Sequence, residues 1–333
     1  MKKIRAAVIG CGNISVMHLD SIAQLEESVL VAVCDIRSER AESTALKYDT
    51  KAYTDYKLMI EKEEIDVIHI CLPHYLHAEV AEYAISKGIN VLTEKPMSIK
   101  YEDAVSVVEL AEKNSVKYGV IFQCRYNTPP ALVKRRIEEG KLGNVKCGRV
   151  VLTWNRSDSY YHNSDWKGTW EKEGGGVIIN QAIHSLDLAN WMIDSKPVDI
   201  QSSLHNRNHP TIEVEDTAEG FIKYENGATL SFFASNNYGV DEPIEIRLVC
   251  ENGNAVLSYD EATIKYNDRT YECAKNDQQE MVSYSGGKTY WGETHIVQIR
   301  QFYRSVLGLE DLQISGREAL KTHKIICDIY SQR

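Results

Sequence analysis

The sequence predicts an α/β protein in two parts, a doubly wound parallel sheet followed by an antiparallel sheet with helices against one face. Three observations carry that expectation. Short apolar runs alternate with amphipathic stretches over residues 1–124. From about residue 146 the segments alternate apolar and polar side chains instead. A Gly-x-Gly turn separates the first apolar run from the first amphipathic stretch.

The apolar runs lie at 4–9 (IRAAVI), 29–34 (VLVAVC), 67–72 (VIHICL), 89–92 (INVL) and 118–122 (YGVIF). They are short, unbroken and rich in β-branched residues, as strands covered on both faces must be. Amphipathic stretches near 14–26, 38–47, 75–88 and 100–114 supply the covering helices. A domain boundary is marked near 124–130 by Pro129-Pro130. Beyond it, RVVLTWN, EGFIKY, ATLSFFASN, IEIRLVC and NAVLSY read as antiparallel strands. Asn-Gly stands at hairpin positions in Tyr224-Glu225-Asn226-Gly227 and Glu251-Asn252-Gly253-Asn254. Terminal helices are expected near 292–308 and 315–331. Such a sheet exposes an apolar face unless paired, so a homodimer or homotetramer through residues 146–275 is expected.

A chain of 333 residues accommodates two domains. With 43% hydrophobic and 26% charged residues it reads as soluble and globular. A net charge of −10 argues against nucleic acid, which needs clustered Lys and Arg. The N-terminal apolar run ends at Gly10-Cys11-Gly12, too soon for a signal peptide. No stretch approaches the roughly 20 apolar residues of a membrane span. Eight scattered cysteines, without Cys-x-x-Cys or zinc spacing, suggest reduced thiols, a cytoplasmic location and no metal.

Gly10-Cys11-Gly12-Asn13-Ile14-Ser15 follows a strand and opens a helix, the setting of a dinucleotide-binding turn. The first Gly allows the tight turn and the second the close approach of a pyrophosphate. Ser15 replaces the usual third Gly or Ala. Asp35, ending the next apolar run, is placed to bind the adenosine ribose. Its charge would repel a 2′-phosphate by roughly 1 to 4 kcal/mol at about 4 Å, so NAD is expected over NADP. Arg37 is either a phosphate partner or a solvated helix-start residue. Gln123, Arg125 and Asn127 fall at the end of the fifth apolar run, where open α/β sheets place ligands.

After Gly174-Gly175-Gly176 the pattern is helical, and Asn180 and His184, four apart, share a face. Two polar groups on an apolar turn are either a mutually satisfied buried pair or a site. Tyr160, Tyr161 and His162 form either a platform for the apolar face of a sugar or an ordered loop; His18 reads as structural.

At Glu94-Lys95-Pro96, the glycine triplet and His184, the chain resembles the glucose–fructose oxidoreductase / inositol dehydrogenase (Gfo/Idh/MocA) family. The match extends through GCGNIS, CDIR at 34–37, 71–98, FQCRYN at 122–127 and 166–191. The resemblance implies a Rossmann domain over residues 1–124 that binds NAD(P). It implies a substrate-binding and oligomerisation domain over 125–333, built on a large open antiparallel sheet. The implied reaction oxidises a secondary alcohol of a sugar, cyclitol or sugar derivative. Lys95 matches the family lysine that hydrogen-bonds the reacting hydroxyl, and His184 the histidine that exchanges its proton. Glu94, Leu72, Pro73 and His77 match segments near the cofactor, although a plain loop accounts for the last three as well. Trp166 and Lys167 match a segment reaching toward the cofactor, or else form an exposed interface.

One departure stands out. Many members of the family carry Asp where this chain has Asn180, and an amide supplies neither charge nor a proton acceptor of comparable basicity. Asn180 is therefore expected to bind substrate or orient His184. The Asn-Gln-x-x-His pattern also resembles a subgroup that includes nucleotide-sugar 3-dehydrogenases. Two other classes stay open: an NAD-dependent glycoside hydrolase on this fold, and a cofactor-binding regulator without turnover. Retention of Lys95 and His184 argues for ordinary redox chemistry.

Overall fold

Strand β1 (Ile4–Ile9) is buried almost throughout, as an unbroken apolar run between two helix layers must be. It is joined by β2 (Ser28–Cys34), β3 (Lys51–Tyr53), β4 (Val67–Ile70), β5 (Asn90–Thr93) and β6 (Tyr118–Val120). These strands pair in parallel in the order β3-β2-β1-β4-β5-β6. The covering helices are α1 (Ser15–Gln24), α2 (Ser38–Tyr48), α3 (Tyr56–Lys62), α4 (His77–Ser86) and α5 (Tyr101–Lys113). The sequence predicts five strands, and the structure has six. The sixth, Lys-Ala-Tyr of β3, is a three-residue edge strand too short and too exposed to show a period. Strand order reverses between β1 and β4, the switch point where open α/β sheets bind ligands beyond their carboxyl ends.

This computed structural model describes residues 3–276 and 294–333. After β6 the chain enters α6 (Thr128–Glu138), whose two prolines sit in the first turn, where no N–H partner is needed. Strand β7 (Val145–Thr153) and the short α7 (Asp158–His162) follow. A π-helical turn at Ile178–Ala182 then leads into α8 (Ile183–Ile193). The remaining strands are β8 (Pro197–His205), β9 (Thr217–Tyr224), β10 (Thr229–Ser235), β11 (Glu245–Cys250), β12 (Gly253–Leu257), β13 (Glu261–Tyr266) and β14 (Tyr271–Lys275).

They form a sheet in the order β14-β13-β12-β11-β7-β10-β9-β8. Both expected hairpins are present, with Gly227 at a φ of 85° in the turn between β9 and β10. The sheet is antiparallel as expected except at one place, where β7 and β10 pair in parallel. Alternating polarity reports which face a side chain occupies and is blind to strand direction. Strands β8 and β14 escaped the sequence reading because their charged or polar residues blur the alternation, whereas β13 (EATIKY) alternates cleanly and was passed over. The inner face is apolar, as in β11, where Ile246, Leu248 and Cys250 are buried.

The terminal helices are α9 (His295–Val306) and α10 (Gly316–Tyr330); residues 292 and 293 of the expected first helix lie outside the described residues. The chain divides into two compact units, Met1–Gln123 with Gln279–Leu320, and Cys124–Gln278 with Lys321–Arg333. The first boundary falls one residue from the expected 124. The difference is α9 and the start of α10 up to Leu320, which belong to the first unit: Ile296, Ile299, Phe302 and Tyr303 pack into one core with Ile4, Val8, Leu19 and Ile22. Gly119 makes room for this, since a Cβ there would stand 2.8 Å from the Phe302 ring.

Candidate active site

Every cofactor residue expected in the first unit lies at the carboxyl ends of its parallel strands. Gly10 follows β1 with φ +95°, and a Cβ on it would stand 2.3 Å from the Cys71 carbonyl oxygen. Only glycine lets the turn press against the end of β4. Gly12 is the opposite case, with nothing within 4 Å of where a Cβ would be. That open space, beside exposed Asn13 and Ile14 at the start of α1, is what close approach of a pyrophosphate requires. The Ser15 hydroxyl donates to the Gly12 carbonyl at 2.6 Å, so the atypical third residue braces the turn. Asp35 follows β2 and accepts the N–H groups of Cys11 and Arg37, each at 2.9 Å. Its carboxylate is thereby fixed against the glycine turn, where a ribose would be held. These residues fit a dinucleotide. Arg37 is exposed.

Beyond β4, Leu72 and Pro73 lead to His77, whose ring nitrogens face the carbonyls of Pro96 at 2.6 Å and Leu72 at 2.7 Å. His77 thus ties the Leu72 loop to the Lys95-Pro96 peptide, and burial lowers its pKa. Lys95 is half-buried, and its N–H donates to the Glu94 carboxylate at 3.2 Å. Glu94 Oε1 also meets His18 Nε2 at 3.1 Å and His295 Nε2 at 3.2 Å. Burial alone would raise the Glu94 pKa, yet the hydrogen bonds from these histidines hold it well below the usual carboxylate range. Burial lowers the pKa of both His18 and His69.

Neutral rings then fix the direction of the chain. His18 donates from Nε2 to Glu94 and accepts at Nδ1 from His69 Nδ1 at 2.8 Å. His69 in turn accepts the Tyr303 hydroxyl at 2.7 Å. His18, Glu94 and His295 keep ligand-type atoms within 4.8 Å of one another, but their contacts are N–H···O distances that satisfy the carboxylate without an ion. Gln123 opens the turn after β6, buried, with its carbonyl accepting the Thr294 hydroxyl at 2.9 Å.

In the second unit Arg125 engages Asp187 through Nε and one Nη, both at 2.7 Å, and Thr322 adds a third donor at 2.8 Å. Asn127 stands at the start of α6, its amide donating to the Tyr259 carbonyl at 3.0 Å. Two glycines of the triplet have a packing cause, and the first, Gly174, has a φ of 82°. A Cβ on Gly175 would stand 2.1 Å from the Tyr330 hydroxyl, and one on Gly176 would stand 1.8 Å from the Glu215 carbonyl. The Glu215 carboxylate accepts from the N–H groups of Gly176 at 2.9 Å and Ile178 at 3.1 Å, and from Tyr330 at 2.8 Å. It holds the donors that a helix start leaves unpaired. Burial nevertheless pushes the Glu215 pKa up to about 7.

From this anchor rise Asn180, half-buried in the π turn, and His184, buried at the start of α8. The expected α-helix is thus widened at Asn180, because the π turn closes i→i+5 hydrogen bonds, a feature frequent at functional sites. Asn180 meets Glu173 at 2.6 Å and the Tyr160 hydroxyl at 3.3 Å. Lys167 lies 3.6 Å from the centre of the Tyr160 ring, with Trp166 beside it. The sequence reading missed Glu173, Glu215, Asp187, His69 and His295. Glu173 had a signal, an acidic residue directly before the triple glycine.

Comparison with known proteins agrees with this architecture. A family model described as an oxidoreductase family with an NAD-binding Rossmann fold matches residues 4–122. A second, the GFO/IDH/MocA C-terminal domain, matches residues 131–256. Inositol 2-dehydrogenase of Salmonella typhimurium (strain LT2) is 29% identical over 265 residues, 76% of this chain and 74% of that protein. The uncharacterized oxidoreductase YrbE of Bacillus subtilis (strain 168) is 26% identical over 251 residues, 74% of this chain and 71% of that one. The WlbA dehydrogenase from Bordetella pertussis, solved in complex with NADH and UDP-GlcNAcA, superposes with a TM-score of 0.86 at 25% identity. The match covers 99% of this chain and 96% of that one.

Glu215 makes the helix anchor sensitive to pH. Its folded pKa of about 7 lies above the ordinary 4.5, so its stabilising contribution is complete at low pH and is lost as pH rises through about 7. A shift of that size is worth roughly 3 kcal/mol. Glu215→Gln, which mimics the protonated form, should flatten the fall in unfolding free energy between pH 5 and pH 8 in denaturant titrations. An unchanged slope would remove Glu215 as its source.

Proposed function

The chain belongs to the GFO/IDH/MocA oxidoreductase family, and on that premise we propose that it oxidises a secondary hydroxyl of a sugar, cyclitol or sugar derivative. The observation that carries the reading is the gathering of Gly10, Gly12, Asp35, Glu94 and Lys95 at the carboxyl end of the parallel sheet. NAD, when bound, takes up the hydride from the carbinol carbon. Gly12 and the start of α1 hold the pyrophosphate, and Asp35 holds the adenosine ribose and disfavours a 2′-phosphate. Lys95 hydrogen-bonds the reacting hydroxyl, His184 removes its proton, and Asn180 holds a neighbouring group. The aromatic face of Tyr160 packs against the ligand, with Arg125 and Asn127 supporting the substrate side.

The test is NAD and NADP reduction against free sugars, inositols, glycosides and nucleotide sugars. Accumulation of NADH with one of these classes supports the reading. Cleavage of a glycoside without NADH accumulation would reassign the protein to hydrolysis, and inertness toward every class would overturn oxidation. A nucleotide sugar is the arm favoured by Asn180-Gln181 before His184, since the WlbA relative was solved with such a compound.

With an active compound in hand, Lys95→Met and His184→Ala should each lower turnover by about 10² to 10⁴. NAD affinity should hardly change, because the pyrophosphate contacts lie elsewhere. Full turnover in His184→Ala would remove it from proton transfer. NAD should bind several times more tightly than NADP by calorimetry, and Asp35→Ser should narrow that gap; equal affinities in the unaltered protein would contradict the role given to Asp35.

A further inference from the structure

Glu173 is buried at 1% exposure, directly before the glycine triplet. One carboxylate oxygen accepts the Gly168 N–H at 2.5 Å, and the other meets the side-chain amide of Asn180 at 2.6 Å. An ionised carboxylate can only accept, so the Asn180 amide must turn its NH₂ group toward Glu173. Its carbonyl oxygen is thereby turned the other way. The charge of Glu173 is also felt by Tyr160, Tyr161 and Tyr330, whose pKa values burial raises and this carboxylate raises further.

We infer that Glu173 is a positioning residue for substrate, acting through Asn180. It fixes the amide in one sense, so that Asn180 offers an acceptor, suited to a hydroxyl donor, while the negative charge stays one residue removed from the ligand. The inference rests on the oxidation of a hydroxylated compound proposed above. It also explains why an amide and not a carboxylate stands at position 180 in this chain: Asp there would face Glu173 with two like charges in hydrogen-bond contact. One of the pair would have to hold a proton, as paired carboxylates do. Moving the carboxylate from 173 to 180 should relieve the conflict.

The experiment is a cycle of four proteins: unaltered, Glu173→Gln, Asn180→Asp and the double variant. Tyr160, Tyr161, Tyr330, Glu215, Arg156 and Lys167 supply the other titratable or charged groups around the pair, and they are common to all four. The first readout is Tm from pH 5 to pH 9, without any ligand. Asn180→Asp should lose several degrees as pH rises and its shared proton leaves, and the double variant should regain most of the loss. Additive effects of the two substitutions would overturn the contact.

The second readout is the pH profile of kcat/KM for the compound from the sugar, inositol, glycoside and nucleotide-sugar panel that the unaltered protein oxidises. Glu173→Gln leaves one oxygen for two N–H groups, so it should cost about 10- to 100-fold, the scale of a small misplacement. Asn180→Asp should lose activity chiefly at high pH, with rescue in the double variant. Unchanged kcat/KM in Glu173→Gln would overturn the positioning role alone. Absence of turnover by the unaltered protein would instead overturn the proposed oxidation, and this inference with it.

Discussion

The candidate site of the second unit depends on one contact, the docking of a helix start against the Glu215 carboxylate and carbonyl. The N–H groups of Gly176, Val177 and Ile178 all end on this residue, and Tyr330 closes the arrangement through Ile179 and Glu215. Such proximity leaves no space for a side chain on Gly175, against Tyr330, or on Gly176, against Glu215, which is the physical reason for these two glycines of the triplet. A helix normally meets its orphan donors with a local cap. Here the cap comes from a residue about forty positions away, so Asn180 and His184 are aimed by tertiary structure. The carboxylate gives up hydration to do so, and its raised pKa records the conflict between desolvation and hydrogen bonding.

The first unit uses its acidic residues in a related way. Asp35 fastens the glycine turn to the end of β2 through two backbone N–H groups, so the group that selects the ribose also shapes the loop that meets the pyrophosphate. Glu94 receives three N–H donors, from His18, His295 and Lys95. Behind His18 the chain of His69 and Tyr303 carries each proton toward Glu94 when the rings are neutral. The peptide of Lys95 therefore starts from a buried, ionised and saturated carboxylate, and His77 fixes its far end through the Pro96 carbonyl. Preorganised backbone on both sides of a working lysine reduces the reorganisation that chemistry at its amine would demand.

Much of this was legible in the sequence because it follows from local rules. The parallel sheet came from unbroken apolar runs, the glycine turn from Gly10 and Gly12, and the second hairpin from Asn252-Gly253. Elements whose pattern is short or polar were not legible: β3 is three residues at an edge, and β8 begins with proline and stays half-exposed. The parallel pairing of β7 with β10 was hidden because direction leaves no trace in polarity. Long-range partners were invisible for a different reason. Nothing near Glu215 announces that its carboxylate belongs to a helix start near residue 176, and His69 reads as one polar residue in an apolar strand. The assignment of α9 to the first unit likewise depends on which core its apolar face enters. Residue roles at Lys95 and His184 came from family resemblance, while the physical reason for Asn180 emerged only once Glu173 stood beside it.

The central claim, oxidation of a secondary hydroxyl by direct transfer to NAD, is tested most directly by isotope. The active compound is prepared with deuterium on the carbinol carbon and converted in the presence of NAD. The mass of the reduced dinucleotide is then read. The account predicts one deuterium in the reduced dinucleotide and a carbonyl at the labelled carbon of the product. Deuterium lost to water, or retained in the product, would contradict it.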